Sequence, residues 1–321
     1  MSSPVLSIAC SRPSKFKKSL ESIILSGFKK IYISIDYPSD PSKVSLHNEC
    51  VYIANSCREL ASDLDVFVSI SKVNLGLRKN VSASIDSAFS YFNSDFLVIV
   101  EDDVIVSSAF RHFMTIANHA YSSRHDINHV CGMNHYADNV LDSPKSSTRL
   151  HFSFFHLCWG WGTWRSKWNS SFLDAYVSRS WFDIFSGLIS RSGLPLYACF
   201  FHSIPVFRAT RNQIKSWAYV WGYHSMRLGA KAVLPPFSLC TNIGFDSSAT
   251  NTTKSCYKII PSSNDILSLR KSIVQNFSFD CATSVNSYSS VDLWESHVRY
   301  TVWRRFLRLF ANIYQCVNIN H

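Results

Sequence analysis

Short apolar runs alternate with amphipathic stretches along the first hundred residues. Val5-Leu6-Ser7-Ile8-Ala9, Ile31-Tyr32-Ile33-Ser34-Ile35, Val66-Phe67-Val68-Ser69-Ile70 and Phe96-Leu97-Val98-Ile99-Val100 are brief and mostly apolar. That is the signature of strands. Between them, Ser14 to Leu25 carries Phe16, Leu20, Ile23 and Ile24 on one side, and Pro41 to Ala61 and Leu77 to Phe92 show the same helical spacing. Strands that are apolar on both faces are covered on both faces. The pattern therefore predicts an α/β fold, a mostly parallel sheet flanked by helices with right-handed crossovers.

Beyond the fourth strand the rhythm changes. Ser107 to Tyr121 reads as a helix. The segment from Ser153 to Gly244 is rich in Trp and mixes short strands with helices, of which Trp181 to Ile189 and Trp217 to Leu228 are the clearest. Asp246 to Ser255 is a Ser/Asn/Thr-rich loop. Asn264 to Val274 looks helical. His297 to Val317 is a basic amphipathic helix, with Trp303, Phe306, Leu307, Phe310, Ile313 and Tyr314 at helical spacing and Arg299, Arg304, Arg305 and Arg308 supplying charge. No internal repeat is present.

Composition narrows the class. At 321 residues, 46% hydrophobic and 17% charged, the chain is a folded protein rather than a disordered one. Its net charge of +10 favours phosphates, nucleic acid or anionic surfaces as partners. No long Lys/Arg block and no nucleic-acid module signature appear, so no nucleic-acid partner is expected. The ten cysteines are scattered without a C-x-x-C pair, which argues against zinc. Met1 to Cys10 lacks the basic-then-apolar order of a signal peptide, and no run of 18 apolar residues exists. Reduced thiols in a cytoplasmic protein are the expectation, and the sequons at Asn80-Val81-Ser82 and Asn251-Thr252-Thr253 then carry no meaning.

Open α/β sheets bind ligands beyond the carboxyl ends of their strands. The residues there are Ser11-Arg12, Asp36, Asn74 to Asn80 and Glu101-Asp102-Asp103. Three consecutive carboxylates after a buried strand repel one another, and a divalent cation relieves that repulsion. Mg²⁺ or Mn²⁺ favours one or two carboxylates plus phosphate oxygens and water, so the triplet suggests a metal bridging protein to a diphosphate. The plainer reading is a solvated acidic turn at the start of the Ser107 helix. In Asn74-Leu75-Gly76-Leu77-Arg78-Lys79-Asn80, Gly76 permits a turn, and Arg78 and Lys79 suit phosphate oxygens at a helix N-terminus or simply form an exposed cap. Asp36 suits a base or ribose, or a turn. Arg12 suits the nucleotide, or solvent.

Asn74–Asp86 (N-L-G-L-R-K-N-V-S-A-S-I-D) followed by Phe96–Val104 (F-L-V-I-V-E-D-D-V) resembles the GT-A glycosyltransferases of the HlpA-like, nucleotide-diphospho-sugar transferase group, and is distantly similar to the N-acetylglucosaminyltransferase I type. Ser11–Pro13, Ser34–Asp36, Cys158–Trp168, Ser216–Ala218 and Asn242–Thr250 match further blocks, so the resemblance spans roughly Val5 to Thr253. It implies a GT-A-type, Rossmann-like fold and a metal-dependent transfer of sugar from a UDP- or GDP-sugar to a glycan, lipid-linked or other hydroxyl acceptor in surface polysaccharide synthesis. It implies Mn²⁺ or Mg²⁺ on Asp103 with Asp102, ribose or metal-bound water at Asp102, uridine near Glu101, nucleoside at Asp36, and donor phosphates at Arg78 or Lys79. The implied domains are a catalytic domain at 1–255 (nucleotide-binding half 1–105, acceptor half 106–255) and a helical extension at 256–321.

Relatives often carry His near the end of the N-I-G-x-D block, where this chain has Asn251-Thr252, and carboxylates beside the Trp block, where Ser216 to Trp221 offers none. Asp246 is the candidate general base, with Asp174 and Asp183 behind it, and the chemistry leans toward inversion. Trp161 and Trp217 are candidate sugar platforms, although large aromatics also fill cores; Gly160 and Gly162 suggest a bent loop that favours a site wall. The C-terminal helix either packs on the catalytic domain or meets an anionic membrane at the inner face. A sugar-phosphate nucleotidyltransferase and a degenerate glycan-binding module are the competing readings. The first loop lacks the Gly-rich signature of the former, and the intact acidic triplet argues against the latter.

Overall fold

The structure is a computed structural model that describes residues 3–60, 62–134, 150–192, 194, 196–236 and 238–244. The chain runs β1 (Val5–Ala9), α1 (Pro13–Leu25), β2 (Lys30–Ile35), α2 (Val44–Leu60), β3 (Asp65–Ile70), α3 (Leu77–Phe92), β4 (Phe96–Glu101), β5 (Val104–Val106), α4 (Phe110–Tyr121), β6 (Ile127–Cys131), β7 (His151–Ser153), β8 (Trp161–Trp164), α5 (Phe172–Ala175), α6 (Trp181–Arg191), α7 (Leu196–Thr210), α8 (Ala218–Arg227), β9 (Lys231–Leu234) and β10 (Cys240–Asn242).

Eight strands form one sheet in the order β3-β2-β1-β4-β8-β6-β9-β7. The first four are mutually parallel. β8 runs antiparallel to both β4 and β6, and β7 antiparallel to β9, while β6 and β9 are parallel. The architecture is the mostly parallel α/β sheet the apolar runs predicted. The first three helices and first four strands lie within a residue or two of their sequence-based bounds, except that Pro41–Lys43 forms a separate 3-10 turn ahead of α2.

Alternate side chains of the central strands enter two cores. Val5, Ile31, Ile33, Phe96 and Val98 join Phe16, Leu20, Ile23 and Phe110 on one face. Leu6, Ile8, Tyr32, Leu97 and Ile99 join Val81, Ile85 and Phe89 of α3 and a tryptophan group on the other. Each such large apolar side chain contributes about 1.5–3 kcal/mol by leaving water. The inner strands are buried along nearly their whole length, whereas β3, at the sheet's edge, is only half covered.

A helical layer of α6, α7 and α8 packs around Ile184, Leu188, Ala198, Cys199, Val206, Tyr223 and Met226. Sequence reading missed α7. Its Pro205 sits inside the helix and is buried, and proline there removes a backbone donor and ordinarily marks a helix end. The packing of α7 on α6 and α8 outweighs that local penalty. None of the seven cysteines among the described residues forms a disulfide. No helix among the described residues is long and apolar enough to cross a membrane. The helices expected at Asn264 to Val274 and His297 to Val317, and the boundary at 255, lie outside the described residues.

Candidate active site at the carboxyl ends of the strands

β1, β2 and β4 are neighbours in the sheet and point the same way, so the loops that follow them share one rim. The loop after β1 carries Arg12, the residue after β2 is Asp36, and β4 ends in Glu101 with Asp102 and Asp103 next. Arg12 and the acidic triplet thus meet because the fold is parallel, and Asp36 lies on the same rim.

Asp102 and Asp103 are buried. Arg12 spans both. Its Nε donates to Asp102 Oδ2 at 3.0 Å, its Nη2 donates to Asp102 Oδ1, and its Nη1 donates to Asp103 Oδ2 at 2.8 Å. Burial works against the charge on Arg12, but Asp102 and Asp103 outweigh it and push its pKa higher still. Burial raises the Asp102 carboxyl to about 6, with Arg12 pulling it back and Asp103 adding to the rise. Glu101 is pushed up to about 8, first by burial and then by the charges of Asp103 and Asp102, while Arg12 and a hydrogen bond from Trp217 oppose the shift. Burial is thus the main cause of the high Glu101 pKa, and the neighbouring Asp103 and Asp102 charges add to it.

β10 completes the rim. It pairs antiparallel with β5, placing Asn242 opposite Val104. Ile243 N donates to the Asp103 carbonyl at 2.7 Å, and Asn242 Nδ2 donates to Asp103 Oδ1 at 3.3 Å. Gly244 N donates to Asn242 Oδ1 at 2.6 Å. A Cβ on Gly244 would lie 2.2 Å from Asp103 Oδ2, so any other residue there would force the Asp103 carboxylate or the backbone to shift. Asn242 and Gly244 are functional candidates that sequence reading did not single out. Their block was visible, but the pairing of β10 with β5 is a tertiary fact.

Asp36 is buried and turned toward its own backbone surroundings. Its Oδ1 accepts from Tyr37 N at 3.0 Å and Leu75 N at 2.9 Å, and its Oδ2 accepts from Gly76 N at 3.1 Å. Burial raises its pKa and these amides counter the rise. Asp36 therefore fixes the Leu75-Gly76 turn, in which Gly76 takes φ +75° just ahead of α3. Arg78, expected at donor phosphates, instead donates from Nη2 to the Ala209 carbonyl of α7. Lys79 is exposed in the first turn of α3.

The platform expected of Trp161 gives way to packing. Trp161 is 0% exposed, lying against His129 at 4.7 Å with the rings 9° from parallel and against Trp217 at 5.2 Å. Both of its faces are covered by rings, and its Nε1 has no hydrogen-bond partner among the described residues. Gly162, expected in a site wall, faces the Phe96 ring, which a Cβ would meet at 2.5 Å. Trp217 is also buried but touches the acidic rim through its bond to Glu101. Of the carboxylates considered as bases, Asp183 forms a capping box with Ser180 at the start of α6, so its role is structural. Asp174 is exposed on α5. Asp246 lies outside the described residues.

Among the described residues no cluster of three or more His, Cys, Asp or Glu side chains forms a ready metal cage. The chemistry of Asp102 and Asp103 nonetheless fits a hard divalent ion, which asks for one or two carboxylates and takes the rest of its shell from phosphate and water. Each carboxylate oxygen keeps a second lone pair beside the N–H it already accepts.

No family model matches the sequence, and no curated protein matches it. Among solved structures, the chain is similar to a mannosyltransferase from Pyrobaculum calidifontis, PcManGT, in complex with GDP-Man and Mn²⁺, at 10% identity and a TM-score of 0.37 over 92% of this chain and 86% of that one. It is similar to S. aureus TarS at 11% identity and a TM-score of 0.38, covering 73% of this chain and 35% of TarS. It is also similar to HddC from Yersinia pseudotuberculosis at 15% identity and a TM-score of 0.27, covering 40% of this chain and 56% of HddC. The chain thus spans about half the length of HddC and about a third of TarS.

Proposed function

We propose that this protein is a GT-A-type glycosyltransferase that moves a sugar from a UDP- or GDP-sugar donor to a hydroxyl acceptor, a glycan or a lipid-linked saccharide in surface polysaccharide synthesis. The observation that carries the reading is the juxtaposition of Arg12, the Glu101-Asp102-Asp103 triplet and the Asn242–Gly244 segment at one rim of a parallel sheet. Unbalanced buried carboxylates are costly to hold, and they persist where a ligand draws on them.

In this reading Asp103, with Asp102, would hold Mn²⁺ or Mg²⁺. Bound there, the ion would supply Lewis acidity toward the departing nucleoside diphosphate. Asn242 and Gly244 set the position of Asp103. Asp36 holds the Leu75-Gly76 turn, so that Lys79 is presented at the start of α3 for phosphate oxygens. With a divalent ion on these carboxylates, the Arg12 guanidinium would be released from them to meet the donor's diphosphate. Asp246, two residues beyond Gly244, is the proposed general base for the attacking hydroxyl. The C-terminal segment is the proposed site of peripheral contact with the inner membrane face.

A thermal-shift screen of nucleoside diphosphates and nucleotide sugars, with and without Mn²⁺, tests the reading. UDP or GDP with Mn²⁺ is expected to give the largest rise, about 2.7 kcal/mol of stabilisation at a hundredfold excess over Kd. Asp103→Ala is expected to remove the metal-dependent part. A flat screen, or release of pyrophosphate from UTP and a sugar phosphate, would overturn it.

A further inference from the structure

Helices α6 and α7 carry an apolar face toward solvent. On α6, Phe182, Phe185 and Ile189 share one stripe at i, i+3 and i+7. On α7, Leu196, Phe200 and Ile204 share another at i, i+4 and i+8. The two stripes join where Phe185 and Phe200 meet edge to face at 6.1 Å. Phe182 is 68% exposed and Leu196 64%, with Ile189, Phe200 and Ile204 exposed as well. Isolated exposed hydrophobics are ordinary, but a joined face of this kind marks an interaction surface.

The charge around that face selects its partner. Between Val177 and Lys215 the basic residues are Arg179, Arg191, Arg208, Arg211 and Lys215, and the sole acid is Asp183. Asp183, held in the Ser180 cap, faces Arg179 and offsets only one of these five positive charges. Arg208 lies one turn beyond Ile204 on the same stripe of α7. A face that is apolar at its centre and positive around it repels a second copy of itself. It also repels the chain's own C-terminal segment, whose Arg299, Arg304, Arg305 and Arg308 carry the same sign. It complements an anionic lipid surface, where aromatic and aliphatic side chains enter the headgroup boundary and arginines meet lipid phosphates.

We infer that the α6–α7 face docks on anionic membrane. This inference is independent of the sugar-transfer reading. The C-terminal end of α7 itself reaches α3, where the Ala209 carbonyl accepts from Arg78.

Flotation of the full chain with phosphatidylcholine vesicles, with and without phosphatidylglycerol, tests the inference. The wild type is expected to float with the phosphatidylglycerol vesicles, and to do so less as salt rises. The double variant F182S/L196S alters two exposed side chains and leaves the packed core intact. It is expected to lower the vesicle partition coefficient about tenfold or more. R191Q/R208Q is expected to keep the fold, as read by its melting curve, and to lose the preference for phosphatidylglycerol. The inference is overturned if the wild type binds both vesicle types equally, or if F182S/L196S floats like the wild type while W303S/F306S does not. It is also overturned if sedimentation velocity shows a dimer that F182S/L196S dissociates, which would make the face a protein interface.

Discussion

His129 offers a measurable pH dependence. Its ring is fully buried against Trp161. Trp221 Nε1 donates to His129 Nδ1 at 3.1 Å, so the ring proton sits on Nε2 and is given to the Leu157 carbonyl at 3.0 Å. A second proton would have no acceptor and would displace the Trp221 donor. Burial lowers the His129 pKa from 6.5 to about 3, with the Leu157 bond opposing the shift. The sign follows directly. Below pH 6.5 the unfolded chain takes up a proton that the folded chain refuses until about pH 3, so stability is full above 6.5 and falls as pH drops through that window. At pH 5 the loss from this one group is about 2 kcal/mol, and it approaches about 5 kcal/mol near pH 3. His156 lies beside it, its pKa also lowered by burial and then by His129, and adds a fall of the same sign. The assay is urea unfolding of the wild type and His129→Gln at pH 7.5, 6 and 5. The gap between the two is expected to narrow toward acid by about 2 kcal/mol at pH 5, because the variant has lost one titrating group. Parallel stability curves would refute the account.

Three further outcomes are expected. Gly244→Ala forces Asp103 or its own backbone to move, because the new Cβ would lie 2.2 Å from Asp103 Oδ2; it is expected to lose Mn²⁺-dependent stabilisation by nucleoside diphosphate, whereas Gly222→Ala, with nothing within 4 Å of its added Cβ, should keep it, and equal responses in a melting assay would reject the assignment. Asp36→Ala strands the amides of Tyr37, Leu75 and Gly76 and is expected to cost about 2 kcal/mol of stability, read by urea unfolding; a change below the error of the fit would contradict the clamp. Arg12→Met removes the cation that Asp102 and Asp103 share, and is expected to tighten Mn²⁺ binding in the absence of nucleotide by about tenfold or more, measured by calorimetry or by loss of the free-ion Mn²⁺ resonance; unchanged affinity would show that Arg12 does not compete for the site.

The first four strands and three helices were legible in the sequence because each is a local pattern. Val5–Ala9 is apolar along its length since both faces of β1 are covered, and Leu77–Phe92 repeats its apolar positions with the helical period. The acidic triplet was legible for the same local reason, coming straight after an apolar strand. α7 was not, because Pro205 argues against helix locally and only its packing on α6 and α8 decides otherwise. Trp161 looked like a platform because sequence gives a residue's type and not its neighbours; the rings of His129 and Trp217 are brought to it by separate elements. Sequence likewise offered Arg12 and Asp103 as independent candidates 91 positions apart. A parallel sheet places the ends of β1 and β4 side by side, and that long-range geometry turns two separate residues into one ion pair.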